Sequence, residues 1–251
     1  MRLDALLLER RLVASIQQAC GYIMDGKVLV DERRVTKPGT PVRLHAVVRL
    51  LADPMPWVSR GGIKLAHAID HFNLVVKNAV CLDVGAATGG FTDVLLQRGA
   101  ARVYAMDVGY GQLAWKLVQD SRVVLLDRTN ICTVDPAVIP ELVDWLTMDV
   151  SFMGVDQALP AALGFLRPGG YGVILLKPQF ELAREKITPG GVIWDPALHQ
   201  EALTLFTQLA DRLGLEVAGI IPSPVTGSKG NQEFLCCIRK MTGVETQSRA
   251  C

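Results

Sequence analysis

Asp83-Val84-Gly85-Ala86-Ala87-Thr88-Gly89-Gly90-Phe91 is the stretch on which the fold turns. It follows an apolar strand-like run at 79–84 and opens a helical one at 91–98, so its glycines fall where a chain bends sharply and lets a ligand approach the backbone. The spacing narrows the ligand. A dinucleotide fingerprint reads Gly-x-Gly-x-x-Gly and aims helix amides at a pyrophosphate. Here the order is Gly-x-x-x-Gly-Gly, with the carboxylate of Asp83 two residues ahead, which suits a cationic amino acid and a sulfonium better. Asp83, Gly85, Ala86, Thr88, Gly89, Gly90 and Phe91 are the expected contacts.

Outward from this loop, apolar strand-like runs at 79–84, 102–107, 123–126, 142–149, 172–176, 216–221 and 234–239 alternate with helical segments at 91–98, 111–119, 156–166 and 196–213. That alternation predicts an α/β domain built on a doubly wound sheet, whose ligands lie at the carboxyl ends of the strands. Asp107 closes the second run, where a carboxylate can accept from both ribose hydroxyls, with Val108 beside it. Asp127 and Arg128 follow the third run, toward the adenine end of such a ligand.

Ahead of this domain, residues 1–52 read as a small α+β module. Leu3, Leu6, Leu7 and Leu12 recur near helical spacing, and Ser15 with Gln18 makes a capping box for a second helix that Gly26 stops. Short strands are expected at 28–30 and 42–50. A linker at 53–60 begins in Asp53-Pro54-Met55-Pro56, the enzyme-like domain spans 61–240, and 241–251 reads as a polar, frayed tail.

Half of the residues are hydrophobic, and the net charge of +1 is unevenly spread: residues 1–60 carry 10 Lys/Arg against 6 Asp/Glu. A basic front end suggests an anionic partner there. Uncharged runs such as 217–228 are too short and too rich in Pro and Gly to cross a bilayer, and Arg2, Asp4, Glu9, Arg10 and Arg11 interrupt any signal-peptide core, so a cytoplasmic protein is expected. The six cysteines form no CxxC pair and read as reduced, mostly buried thiols; His67 and His71 read as a helix-surface pair rather than a metal site.

The loop, with Trp57-Val58-Ser59-Arg60-Gly61, Asp107-Val108-Gly109-Tyr110-Gly111-Gln112-Leu113-Ala114-Trp115, Asp127-Arg128-Thr129-Asn130, Asp149-Val150-Ser151-Phe152, Lys177-Pro178-Gln179-Phe180-Glu181 and Gly230-Asn231-Gln232-Glu233-Phe234, resembles the class I methyltransferases related to FtsJ. Within them it is most similar to the TlyA family of rRNA 2′-O-methyltransferases, whose members are often labelled haemolysin-like. The resemblance implies S-adenosyl-L-methionine as cofactor and a Lys-Asp-Lys-Glu tetrad, which falls on Lys64, Asp149, Lys177 and Glu233. The residues agree: Asp149, counted also among the cofactor contacts, and Lys177 end the fourth and fifth strand runs, and a lysine directly after Val173-Ile174-Leu175-Leu176 needs a cleft or a counter-ion. Lys177 is expected to activate a ribose 2′-hydroxyl, Asp149 to orient it, and Lys64 and Glu233 to place the sugar.

Residues 1–50 likewise resemble an S4 RNA-binding domain, with Arg2, Arg10, Arg11, Lys27, Arg33, Arg34 and Lys37 as phosphate contacts. The expected function is 2′-O-methylation of a cytidine in ribosomal RNA, with the large subunit favoured because the chain starts almost at its S4-like motif. The alternatives are a haemolysin-like membrane-active protein, or a methyltransferase for another RNA or a small molecule. The loop around Pro189-Gly190-Gly191, to Asp195-Pro196, matches a family loop near the cleft and is expected to act as a lid.

Overall fold

Apolar residues at a two-residue period along the strands of the larger unit serve two cores at once. In the computed structural model, which describes residues 1–51, 55–188, 190–227 and 229–242, the chain forms two units, Met1–Pro56 and Trp57–Cys251.

The first unit holds α1 (Leu3–Glu9), α2 (Ile16–Met24), β1 (Val28–Val30), β2 (Arg33–Val35) and β3 (Val48–Leu50), with the strands in the order β2-β1-β3 and both pairings antiparallel. Leu3, Leu7, Ala19, Ile23, Val28 and Val30 make its core. Half of the capping box forms: Ser15 Oγ accepts from Gln18 N at 3.1 Å, while Gln18 Oε1 reaches one residue further back and accepts from Ala14 N at 2.7 Å. The strand expected over 42–50 is cut to its last three residues. The Arg10 guanidinium donates to the carbonyls of Leu44 and Ala46, at 2.5 and 2.8 Å, and a turn closes from Ala46 N to Arg43 O, so this backbone is satisfied without a ladder.

The second unit contains α3 (Gly61–His71), β4 (Val80–Val84), α4 (Gly90–Gln97), β5 (Arg102–Met106), α5 (Trp115–Val118), β6 (Val123–Leu126), β7 (Val143–Met148), α6 (Val155–Ala162), β8 (Leu166–Leu176), α7 (Pro178–Glu181), α8 (Pro196–Arg212), β9 (Leu215–Pro222) and β10 (Phe234–Lys240). The sheet order is β6-β5-β4-β7-β8-β10-β9, parallel as far as β8, with β10 antiparallel to both of its neighbours. Cys81, Val103, Ala105, Trp145, Val173 and Leu175 point to one face, toward α3 and α4. Leu82, Tyr104, Met106, Leu146, Ile174 and Leu176 point to the other, toward α6 and α8. Each Val, Leu, Ile or Met among them contributes about 1.5–3 kcal/mol by leaving water, and both faces are covered, as a parallel sheet requires.

Three boundaries depart from the sequence reading. The helix expected over 111–119 shrinks to Trp115–Val118, because Gly111 sits at φ 65° and Ala114 N bonds to Thr88 O. The helix expected over 156–166 ends at Ala162, and β8 starts at Leu166, earlier than expected. Residues 57–60, expected in a linker, belong to the second unit: Val58 N donates to Asp93 Oδ2 at 2.9 Å. Asp53 and Pro54 of that linker, and 243–251 of the expected tail, lie outside the described residues. Among the described residues no helix is long and apolar enough to cross a membrane. Cys81, Cys236 and Cys237 are buried free thiols, whereas Cys132 is exposed.

Candidate active site

Five parallel strands deliver the chemistry to one edge. In spatial order, β6 is followed by Asp127, β5 by Asp107, β4 by Gly85, β7 by Asp149 and β8 by Lys177. Glu233 joins them because β10 runs the opposite way and starts there, with Phe234 opposite Leu176.

A cavity of about 570 Å³ opens at this edge, within the 300–1,000 Å³ usual for small-molecule sites. Lys64, Asp149, Lys177 and Glu233 all line it, together with Gly85, Ala86, Ala87, Thr88, Gly90 and Phe91 of the glycine loop. The four charged side chains form two ion pairs. Lys177 Nζ lies 2.6 Å from Asp149 Oδ1, with side chains 9% and 25% exposed. Lys64 Nζ lies 2.5 Å from Glu233 Oε2, with side chains 11% and 4% exposed. Lys177 also donates to Val150 O at 2.9 Å and Ser151 Oγ at 2.8 Å.

Two glycines explain how loop and acids come together. Gly85, at φ 83°, lets the end of β4 pass so close to β7 that an added Cβ would lie 2.5 Å from Asp149 O. At Gly90 an added Cβ would strike Ser59 Oγ and approach Gly62 N to 2.9 Å, so only glycine there lets the 57–62 segment rest on the start of α4 and bring α3, with Lys64, to the cavity.

Not every expected ligand contact faces this space. Asp83 is fully buried and does not line the cavity: its carboxylate accepts from Thr92 Oγ1 at 2.7 Å and Thr147 Oγ1 at 2.8 Å. Its expected contact with a cationic amino acid therefore gives way to bracing the strand beneath the loop. Burial raises its pKa to about 6, against the lowering effect of the two threonines. Gly89 turns toward Leu113 and Leu117 instead of the cavity. Asp107, Val108, Asp127 and Arg128 lie beyond the lining, along the same edge. Asp107 accepts from Ala87 N at 2.8 Å and Gly109 N at 2.7 Å, Asp127 accepts from Gly111 N at 2.9 Å, and the Arg128 guanidinium stacks 4.2 Å from the Tyr110 ring centroid.

The sequence reading missed several lining residues. Phe152 is 94% exposed at φ 69°, an unfavourable backbone for a bulky side chain, and its ring lies 5.7 Å from that of Phe180. Gln179 Oε1 is buried with no hydrogen-bond partner among the described residues. Asn231 clips the expected lid: its Oδ1 accepts from Ile193 N at 2.8 Å, and its Nδ2 donates to Gly191 O at 2.7 Å. Pro189 of that loop lies outside the described residues. Glu181, just outside the lining, accepts from Val155 N with both oxygens and is pushed up to about 7 by burial. The strings quoted above contain Phe152, Gln179, Phe180, Glu181 and Asn231, but no spacing rule singles them out.

In the first unit, Arg11, Arg33, Arg34 and Lys37 are exposed. Arg2 is held by Asp4 at 2.6 Å, and Lys27 lies 3.4 Å from Asp25. Arg10, expected to contact phosphate, spends its guanidinium on two backbone carbonyls of its own unit.

Residues 57–240 match the FtsJ-like methyltransferase family, and residues 1–48 match the S4 domain. The chain is 43% identical over 242 residues to the 16S/23S rRNA (cytidine-2′-O)-methyltransferase TlyA of Mycobacterium tuberculosis, covering 96% of this chain and 90% of that one. It is 30% identical to the 23S rRNA (cytidine-2′-O)-methyltransferase TlyA of Campylobacter jejuni, over 71% and 69% of the two chains. A solved structure of a putative hemolysin from Streptococcus thermophilus superposes with a TM-score of 0.76 at 39% identity, covering 96% of this chain and 88% of that one.

Proposed function

The chain belongs to the TlyA family of FtsJ-like methyltransferases, and from that premise we propose that it methylates the ribose 2′-hydroxyl of a cytidine in ribosomal RNA, using S-adenosyl-L-methionine. The observation that carries this reading is the pair of lysine–carboxylate bridges lining one cavity together with the glycine loop. The residues fit the cofactor. Gly85 to Thr88 present backbone without bulk, Asp149 offers a carboxylate to a cation, and Asp107 stands at the next strand end as an acceptor for hydroxyls. When bound, that cofactor supplies an electrophilic methyl group.

The chain's own residues would do the rest. Lys177 holds the 2′-hydroxyl and, as the free amine, takes its proton; Asp149 fixes the direction of Nζ; Lys64 and Glu233 brace the wall on which the sugar rests. Phe152, exposed at the cavity mouth against Phe180, offers an aromatic face to a base drawn out of its stack. RNA is held by the first unit through Arg11, Arg33, Arg34 and Lys37, which contact phosphates by charge. Large-subunit RNA is the favoured substrate, because both relatives named for a ribosomal target include 23S rRNA in that name. Such a substrate implies work in the cytoplasm.

The test is transfer of labelled methyl to isolated ribosomal subunits, with and without RNase, followed by mapping of the modified nucleotide. RNase-sensitive label on a cytidine ribose of the large subunit is expected. Label that survives RNase, or no transfer to either subunit, overturns the reading, and label on the small subunit alone overturns the subunit assignment. Reversing Arg33, Arg34 and Lys37 together should weaken RNA binding by about tenfold or more at low salt and less at high salt; an unchanged affinity removes this face from the RNA contact.

A further inference from the structure

We propose that the Ser151 hydroxyl is the proton exit of Lys177, an inference that rests on the methyl-transfer reading above. Lys177 is nearly enclosed, and its ammonium meets three acceptors: Asp149 Oδ1 at 2.6 Å, Val150 O at 2.9 Å and Ser151 Oγ at 2.8 Å. While it carries three N–H bonds so directed, the side chain has no lone pair to offer a 2′-hydroxyl. To act repeatedly as a base it must shed one proton in every cycle.

The three partners differ in what they can do about that. The Val150 carbonyl only accepts. The Asp149 carboxylate only accepts while ionised, and its charge is what keeps Lys177 oriented. A hydroxyl accepts from an ammonium and donates to a free amine, so Ser151 alone can satisfy Lys177 in both protonation states. It is also exposed and lines the cavity, joining the enclosed nitrogen to water.

The step balances. Starting from the free amine of Lys177, the 2′-hydroxyl O–H bond breaks and an N–H bond forms on Lys177 as the oxygen gains the methyl group that the bound donor would give up by breaking its bond to it. One N–H of that ammonium then breaks as a new O–H forms on Ser151, and the proton Ser151 already carried passes to cavity water as hydronium. Lys177 and Ser151 return to their starting states, with one proton delivered to solvent per methyl transferred. The charged side chains facing this cavity are Arg60, Lys64, Asp149, Lys177, Lys229 and Glu233, so the pH profile of the relay is read against all six.

The experiment compares wild type with Ser151→Ala and Ser151→Thr in full-length protein, using labelled-methyl transfer to ribosomal subunits across pH, in water and in deuterium oxide. Ser151→Ala should lower kcat by about tenfold or more, with the loss shrinking as pH rises and KM for both substrates within about threefold of wild type. The solvent isotope effect on kcat should change, and Ser151→Thr, which keeps the hydroxyl, should restore most of the rate. A Ser151→Ala enzyme with wild-type kcat and pH profile overturns the relay. So does a loss that appears in KM or that threonine does not restore, since either marks a packing role. A wild-type protein that transfers no methyl instead overturns the function on which the relay rests, and a Lys177→Ala variant as active as wild type overturns the base role of Lys177.

Discussion

The two lysine–carboxylate pairs look equivalent on paper and are not. Lys64 and Glu233, at 11% and 4% exposure, pair at the cavity wall, and among the described residues Lys64 Nζ has no second partner. Lys177 has two further acceptors, one of them an exposed hydroxyl, and its counter-ion Asp149 keeps a quarter of its side chain open to solvent. A pair whose lysine has no other partner holds elements together, whereas one with an exchangeable neutral partner can trade that partner for a ligand. The first ties α3 to the start of β10; the second stands where a reacting hydroxyl would arrive.

The sharpest way to break this contrast is Lys177→Ala. Methyl transfer should fall by at least about 100-fold while cofactor affinity, read by calorimetry, stays within about threefold. Equal losses of rate and cofactor affinity would make Lys177 a strut like Lys64. The next effect is on stability. Lys64→Met leaves the Glu233 carboxylate buried and unpaired and should cost about 3–5 kcal/mol in urea unfolding, with much of it recovered in Lys64→Met/Glu233→Gln. An unchanged midpoint for the single variant would mean that the pair is not a strut.

Asp83 shows what a carboxylate does without a cation beside it. Its pKa of about 6 lies above its ordinary 3.8, so the folded state keeps a proton that the unfolded chain has lost. This group's contribution is therefore present below about pH 4 and declines as pH rises toward 6. Asp83→Asn should flatten the stability profile over that window; an unaltered slope would place the burden elsewhere. An effect of similar size belongs to Glu181, raised from 4.5 to about 7 by burial. Its contribution falls over that higher window, and Glu181→Gln should remove the residual slope between about pH 5 and 7 while still accepting from Val155 N.

Much of the site was legible because strand periodicity and strand ends are local properties. The alternation through Cys81-Leu82 and Val103-Tyr104-Ala105-Met106 assigns faces directly, and an acid or lysine just past such a run must lie on the ligand edge. What hydropathy does not encode is which polar partner closes a contact. Arg10 reads as a free cation and is spent on Leu44 O and Ala46 O. Asp83 reads as a ligand contact and is satisfied by two threonines, one of them 64 residues away along the chain. Ser151 carries no signal until Lys177, from the neighbouring strand, is set beside it. Those facts depend on pairing across the sheet, which a single sequence does not specify.

The close pass at Gly85 has a mechanical meaning. The glycine loop passes against the carbonyl of the very residue that pairs with Lys177, so under the proposed reaction the spacing between loop and amine is set by packed backbone. Such a site tolerates no shim. In a protein whose work is to move one carbon, a single extra carbon at position 85 is enough to put the two halves of the reaction out of reach of each other.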